Sequence, residues 1–137
     1  MEDCIFCKII KGEIPCFKIY EDTDVLVFLD IKPFTKGHCL VIPKHHAENI
    51  FDIPENDLQK VSGVAKKISQ KIKDVLGADG IRLSQSNGTA AGQDVMHFHL
   101  HIIPRYENDG LGMNPTATVH LPQADFEELK KVAEKLQ

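Results

Sequence analysis

The segment Met96-His97-Phe98-His99-Leu100-His101-Ile102-Ile103 alternates apolar residues and imidazoles at strict every-other spacing, and it holds three of the seven histidines in the chain. Side chains on an extended strand point alternately to opposite faces. The spacing therefore places His97, His99 and His101 on one face, with Cβ atoms roughly 6.5–7 Å apart. Met96, Phe98, Leu100 and Ile102 take the other face, which must be buried against a core. The histidine face is expected to look into a cleft or solvent. Two uses of such a row fit chemistry at neutral pH. It can be a metal site built from two or three of the rings. It can also be a catalytic set, with one imidazole as nucleophile or base and its neighbours orienting it or binding an anion.

The rest of the chain supplies a frame. Residues 4–11 carry helical spacing that stops at Gly12, and 56–77 carry a sustained 3.6-residue apolar period through Leu58, Val61, Val64, Ala65, Ile68, Ile72 and Val75, ending at Gly77. Residues 16–22, 24–30, 37–43, 80–86 and 95–104 read as strands. Residues 125–137 read as a C-terminal helix. Strands joined mostly by short turns, with one long helix between them, predict a single α+β domain over 1–137. Its expected core is an antiparallel sheet of about five strands with both helices packed on it.

Charge and address narrow the class. Sixteen basic and twenty acidic residues give a net charge of -4. Lys66, Lys67, Lys71 and Lys73 form the largest basic cluster and read as the wet face of the long helix. This argues against general nucleic-acid binding. No window approaches the ~18 apolar residues of a membrane span. The first residues do not read as a signal peptide, so a cytoplasmic location is expected. Disulfides are then improbable for the four cysteines. Cys16 and Cys39 sit among apolar residues and read as packed thiols. Cys4-x-x-Cys7 is half a metal site, a redox pair, or two buried thiols. Between the fourth strand and the histidines lies the small, Gly-rich stretch 86–94. Gly88 and Gly92 permit positive φ, so this loop is either a plain hairpin connection or a cradle turning N–H groups toward a phosphate.

His97-Phe98-His99-Leu100-His101-Ile102-Ile103 resembles the signature of the histidine triad (HIT) superfamily. "CIFCKIIKGEIP", "FLDIKPFTKGHCLVIPKHH" and "AAGQDVMHFHLHIIPR" resemble its Hint branch, in the bacterial zinc-containing form. The resemblance runs from Cys4 to Arg105. It implies a homodimer that binds purine nucleoside monophosphates and hydrolyses nucleoside phosphoramidates at the α-phosphate. It implies that His99 is the nucleophile forming a nucleotidyl-histidine, that His101 contacts the phosphate, and that Gln93 and Asp94 face the α-phosphate and leaving group. It implies that Asp30 binds the ribose hydroxyls, that Ile5, Phe6, Phe28 and Ile31 wall the base, and that Ser86, Asn87 and Gly92 belong to the substrate loop. Ser86 stands where many relatives have Asn, with Asn87 beside it. Asp94 stands where relatives carry either Ser or an acid.

Four-coordinate zinc needs two ligands beyond Cys4 and Cys7. His45, His46 and His97 are at hand, and the resemblance selects His46 and His97, making the ion structural. Three rivals stand beside this reading. One is a dinucleoside polyphosphate hydrolase of the Fhit kind. Another is a nucleotide-binding regulatory or scaffold module whose hydrolysis is incidental. The third is a purely zinc-structural protein in which the triad supplies only ligands. His120 has no role assigned from sequence.

Overall fold

A computed structural model describes residues 3–113 and 125–137; His120 lies outside the described residues. The element order is α1 (Ile5–Ile10), β1 (Lys18–Glu21), β2 (Val25–Leu29), β3 (Cys39–Pro43), α2 (Glu55–Leu76), β4 (Gly80–Ser84), β5 (Leu100–Arg105) and α3 (Phe126–Leu136). The five strands form one sheet in the order β1-β2-β3-β5-β4. Every neighbouring pair is antiparallel. This is the α+β architecture expected from the pattern of strands and helices.

Alternation along the central strands builds two apolar layers. Val25, Val27 and Leu29 of β2, Cys39 and Val41 of β3 and Ile102 of β5 face α2 and α3, meeting Val61, Ile68, Ile72, Leu129 and Val132. Leu26, Phe28, Leu40 and Ile42 face the other way and pack with Phe6 of α1. The central strands are covered on both sides, so β2 and β3 are buried at every position. The apolar stripe of α2 is as expected at Val61, Val64, Ala65, Ile68 and Ile72, whereas Val75 is exposed on the last turn. The helix stops at Gly77, which adopts φ 71° and donates to the Lys73 carbonyl, the left-handed ending that glycine permits.

The histidine segment differs from expectation in one respect. Regular pairing begins only at Leu100, and residues 95–97 form a bend. The alternation of faces still holds for Phe98 and Ile102, both in the helix-side core, with Leu100 packed against it. Met96 is exposed instead of buried, because the bend takes it off the sheet. The opposite face is no open surface: His97 and His99 are buried beneath α1.

Candidate active site

A cavity of about 490 Å³ opens on the α1 side of the sheet. Ile5 and Phe6 of α1, Phe28 of β2, Asp30, Ile31, Asp94, His99 and His101 all line it. These residues come from segments far apart in sequence, and the sheet brings them together through the pairing of Leu40 in β3 with His101 in β5. Phe6 sets its ring edge-on to Phe28 and to His99, at centroid distances of 5.6 and 5.2 Å. Cys16, expected as a packed thiol, is half-buried and lines the cavity, while Cys39 is fully buried.

Hydrogen bonds assign the protons on the rings. His99 Nδ1 lies 2.7 Å from the backbone carbonyl of His97. A carbonyl only accepts, so Nδ1 carries the proton and Nε2 keeps its lone pair. His99 Nε2 lies 3.6 Å from an Asp94 carboxylate oxygen.

A second chain of bonds fixes His101. The Phe34 N–H donates to His38 Nδ1 at 3.0 Å. His38 Nε2 therefore holds the proton and donates to His101 Nδ1 at 2.9 Å. That leaves His101 with its proton on Nε2, as a neutral donor. Burial, chiefly, and the neighbouring His99 push its pKa down to about 4, so it is uncharged at neutral pH. His38 is itself buried and stacks on Phe34 at 5.3 Å, nearly parallel. Sequence reasoning missed His38; its only signal is a polar residue placed directly before the all-apolar strand β3. Asp30 accepts from the Lys32 N–H and sits 3.7 Å from His38 Nε2.

The Gly-rich loop satisfies several of its own N–H groups internally. Gly88 and Gly92 adopt φ 90° and 93° around a single 3-10 turn, Thr89–Ala91, as their freedom allows. The N–H groups of Ala91, Gly92 and Gln93 bond to carbonyls inside the loop. The Gly88 N–H bonds to Gln93 Oε1, while Gln93 Nε2 donates to the carbonyls of Glu48 and Val95. Gln93 is buried and its amide is used in holding the loop. Asn87 likewise bonds to the Ile50 N–H and to Gln85. Gln93, Ser86, Asn87 and Gly92 are not among the residues that line the cavity.

Cys4, Cys7, His46 and His97 form a second cluster, their ligand atoms all within 4.8 Å of one another. Cys4 Sγ to His97 Nδ1 and Cys7 Sγ to His46 Nδ1 are both 3.3 Å, and the two Nδ1 atoms are 3.2 Å apart. Tetrahedral zinc bonded to two sulfurs and two nitrogens separates unlike ligand atoms by about 3.5 Å, so the donor set fits that ion. The second shell fits too. His97 Nε2 donates to the Pro43 carbonyl at 2.8 Å, which turns the Nδ1 lone pair toward the cysteines. Burial, with Cys4 alongside, pushes the Cys7 thiol up to about 11, a shift that a bound cation reverses. His45 stays out, exposed and 3.4 Å from Asp57. Asp30, His38 and His101 form another close group. There the ring nitrogens between His38 and His101 are occupied by the hydrogen bond that joins them.

The HIT domain family model matches residues 11–108. A Candida albicans protein named adenosine 5′-monophosphoramidase HNT1 is 42% identical over 138 residues, spanning 97% of this chain and 88% of that protein. An Arabidopsis thaliana protein named adenylylsulfatase HINT3 is 40% identical over 131 residues, spanning 96% of this chain and 66% of its own length. The crystal structure of a Zn-bound histidine triad family protein from Mycobacterium smegmatis superposes with a TM-score of 0.81 at 36% identity, covering 98% of this chain and 96% of that one. Among the described residues, no helix is long and apolar enough to cross a membrane.

Proposed function

The chain belongs to the HIT domain family, and on that premise we propose that it hydrolyses purine nucleoside 5′-phosphoramidates, or related nucleotidyl conjugates, at the α-phosphate. The observation that carries this reading is the protonation pattern of two adjacent rings. His99 offers an unprotonated Nε2 and His101 a protonated one, both on the wall of one cavity. A nucleophile beside a hydrogen-bond donor is what attack on a phosphoryl group needs.

The chemistry proceeds in two displacements. His99 Nε2 attacks the α-phosphorus; the Nε2–P bond forms as the P–N bond breaks, and the departing nitrogen takes a proton from solvent. Water then attacks phosphorus, the Nε2–P bond breaks, the nucleoside monophosphate leaves, and the water proton returns to solvent. His101 Nε2–H donates to a phosphoryl oxygen as charge develops there. Ile5, Phe6, Phe28 and Ile31 hold the base, and Asp30 takes the ribose hydroxyls. Gln93, Ser86, Asn87 and Gly92 act by keeping the loop in place behind Asp94.

Zn²⁺ held by Cys4, Cys7, His46 and His97 completes the fold. Such an ion supplies a cross-link between α1 and the segment before the nucleophile. The protein works as a cytoplasmic homodimer. β4 supports a dimer as an edge strand of the sheet with Leu83 exposed, a surface a second copy can pair with.

The test is intact-protein mass spectrometry after rapid quenching with adenosine 5′-phosphoramidate. A transient gain of one adenylyl group on wild type, absent from His99→Ala, with AMP released, is the expected result. Bound AMP without adduct or turnover would instead favour a regulatory nucleotide-binding module.

A further inference from the structure

Among the described residues, the cavity wall carries two carboxylates, Asp30 and Asp94, and no lysine or arginine. That is unusual company for a site receiving a phosphate ester. Asp30 is engaged at the inner wall through the Lys32 N–H and lies near His38. Asp94 stands at the rim, with its side chain 82% exposed and one oxygen 3.6 Å from the attacking nitrogen of His99. Its position is set by the Val95 N–H, which donates to the same oxygen at 2.9 Å. A negative charge therefore sits beside the attacking nitrogen, at the rim of the cavity that is open to solvent.

We infer that Asp94 selects leaving groups by charge, favouring conjugates whose departing amine carries a positive group and disfavouring anionic ones. The inference rests on the phosphoramidate reading and narrows its substrate class to nucleotidyl conjugates of amines that carry a second, cationic group, such as a diamine. The α-phosphate is common to every substrate and feels the carboxylate equally, so that repulsion cancels when two substrates are compared. The charge on the leaving group does not cancel. Coulomb energy changes sign between a cationic and an anionic leaving group. For an exposed rim charge the two effects together amount to about a tenfold preference. Among the described residues, no cationic side chain on the wall offsets it.

Three adenosine 5′-phosphoramidates of matched size test this: N-(3-aminopropyl), N-propyl and N-(2-carboxyethyl), giving cationic, neutral and anionic leaving amines. Wild type is expected to rank them in that order by kcat/KM, with a cation-to-anion ratio of about ten. Asp94→Asn keeps an oxygen for the Val95 N–H and removes only the charge, so the ratio should fall toward one. Asp94→Glu should retain most of it. The wild-type ratio should also collapse at about 1 M salt, where the Debye length is ~3 Å, a response no purely structural role produces. Adenosine affinity should be equal in wild type and Asp94→Asn. A ratio unchanged in Asp94→Asn, or unchanged by salt, overturns the inference and leaves the hydrolase reading standing. Failure of wild type to cleave any of the three, with no adenylyl adduct, overturns that reading and the inference together.

Discussion

The bond from His38 to His101 allows a perturbation whose effect on catalysis can be separated from its effect on folding. His38→Phe keeps an aromatic ring stacked on Phe34 but deletes both ring nitrogens. Two hydrogen bonds go, from the Phe34 N–H at 3.0 Å and to His101 Nδ1 at 2.9 Å. Each leaves a partner partly desolvated and unpaired, so the stability cost is about 2–4 kcal/mol in total. The catalytic cost arises from the tautomer. With no donor at Nδ1, His101 is free to carry its proton there and turn an unprotonated Nε2 toward the phosphate. One hydrogen bond of about 1–1.5 kcal/mol biases that choice roughly tenfold, so its removal lowers the Nε2–H form from about nine-tenths to about half. The expected fall in kcat/KM is therefore about two- to threefold, seen mainly in kcat, with adenosine affinity unchanged. Steady-state kinetics well below the unfolding midpoint measure it. In a His101→Ala background the same substitution should add almost nothing to the rate loss, because the donor it orients is gone. A folded His38→Phe protein with kcat equal to wild type, or a substitution that slows the His101→Ala enzyme as much as it slows wild type, would refute the reasoning.

Acid should expose His101 differently. Its folded pKa of about 4 lies below the unfolded 6.5, so its contribution is complete above pH 6.5 and is lost as pH falls toward 4. That amounts to about 2 kcal/mol between pH 7.5 and 5, and urea unfolding of His101→Gln should lack this part of the pH dependence. Cys7→Ser should abolish bound zinc by elemental analysis and lower the unfolding midpoint by about 10 °C, while kcat stays within a few-fold. Gln93→Ala leaves the Gly88 N–H and two carbonyls without their partner, so equilibrium unfolding should register about 2–3 kcal/mol of destabilisation.

The parts of this molecule that repeat were readable in its sequence. The α2 stripe, the five strands and the alternation around Phe98 and Ile102 all follow from period alone. Family likeness pointed to His46 over His45, which spacing leaves equivalent; in space His46 joins Cys4, Cys7 and His97, while His45 is exposed beside Asp57. His38 was not legible, because its role depends on which ring β3 pairs it against. Nor was the loop: a Gly-rich run looks the same whether its N–H groups point outward or, as those of Gly88 and 91–93 do here, donate to the loop's own carbonyls and to Gln93. Met96 fits the apolar phase, yet the bend at 95–97 exposes it.

His97 separates two duties within one residue. Its ring belongs to the cluster with Cys4, Cys7 and His46, while its carbonyl receives the proton-bearing nitrogen of His99. Every amino acid brings the same carbonyl. The lock on the nucleophile is thus insensitive to the identity of the residue at position 97, provided the bend survives. Descendants of such a chain could exchange all four cluster side chains for a plain apolar contact and keep an armed His99, so the cluster and the nucleophile are free to evolve on separate clocks.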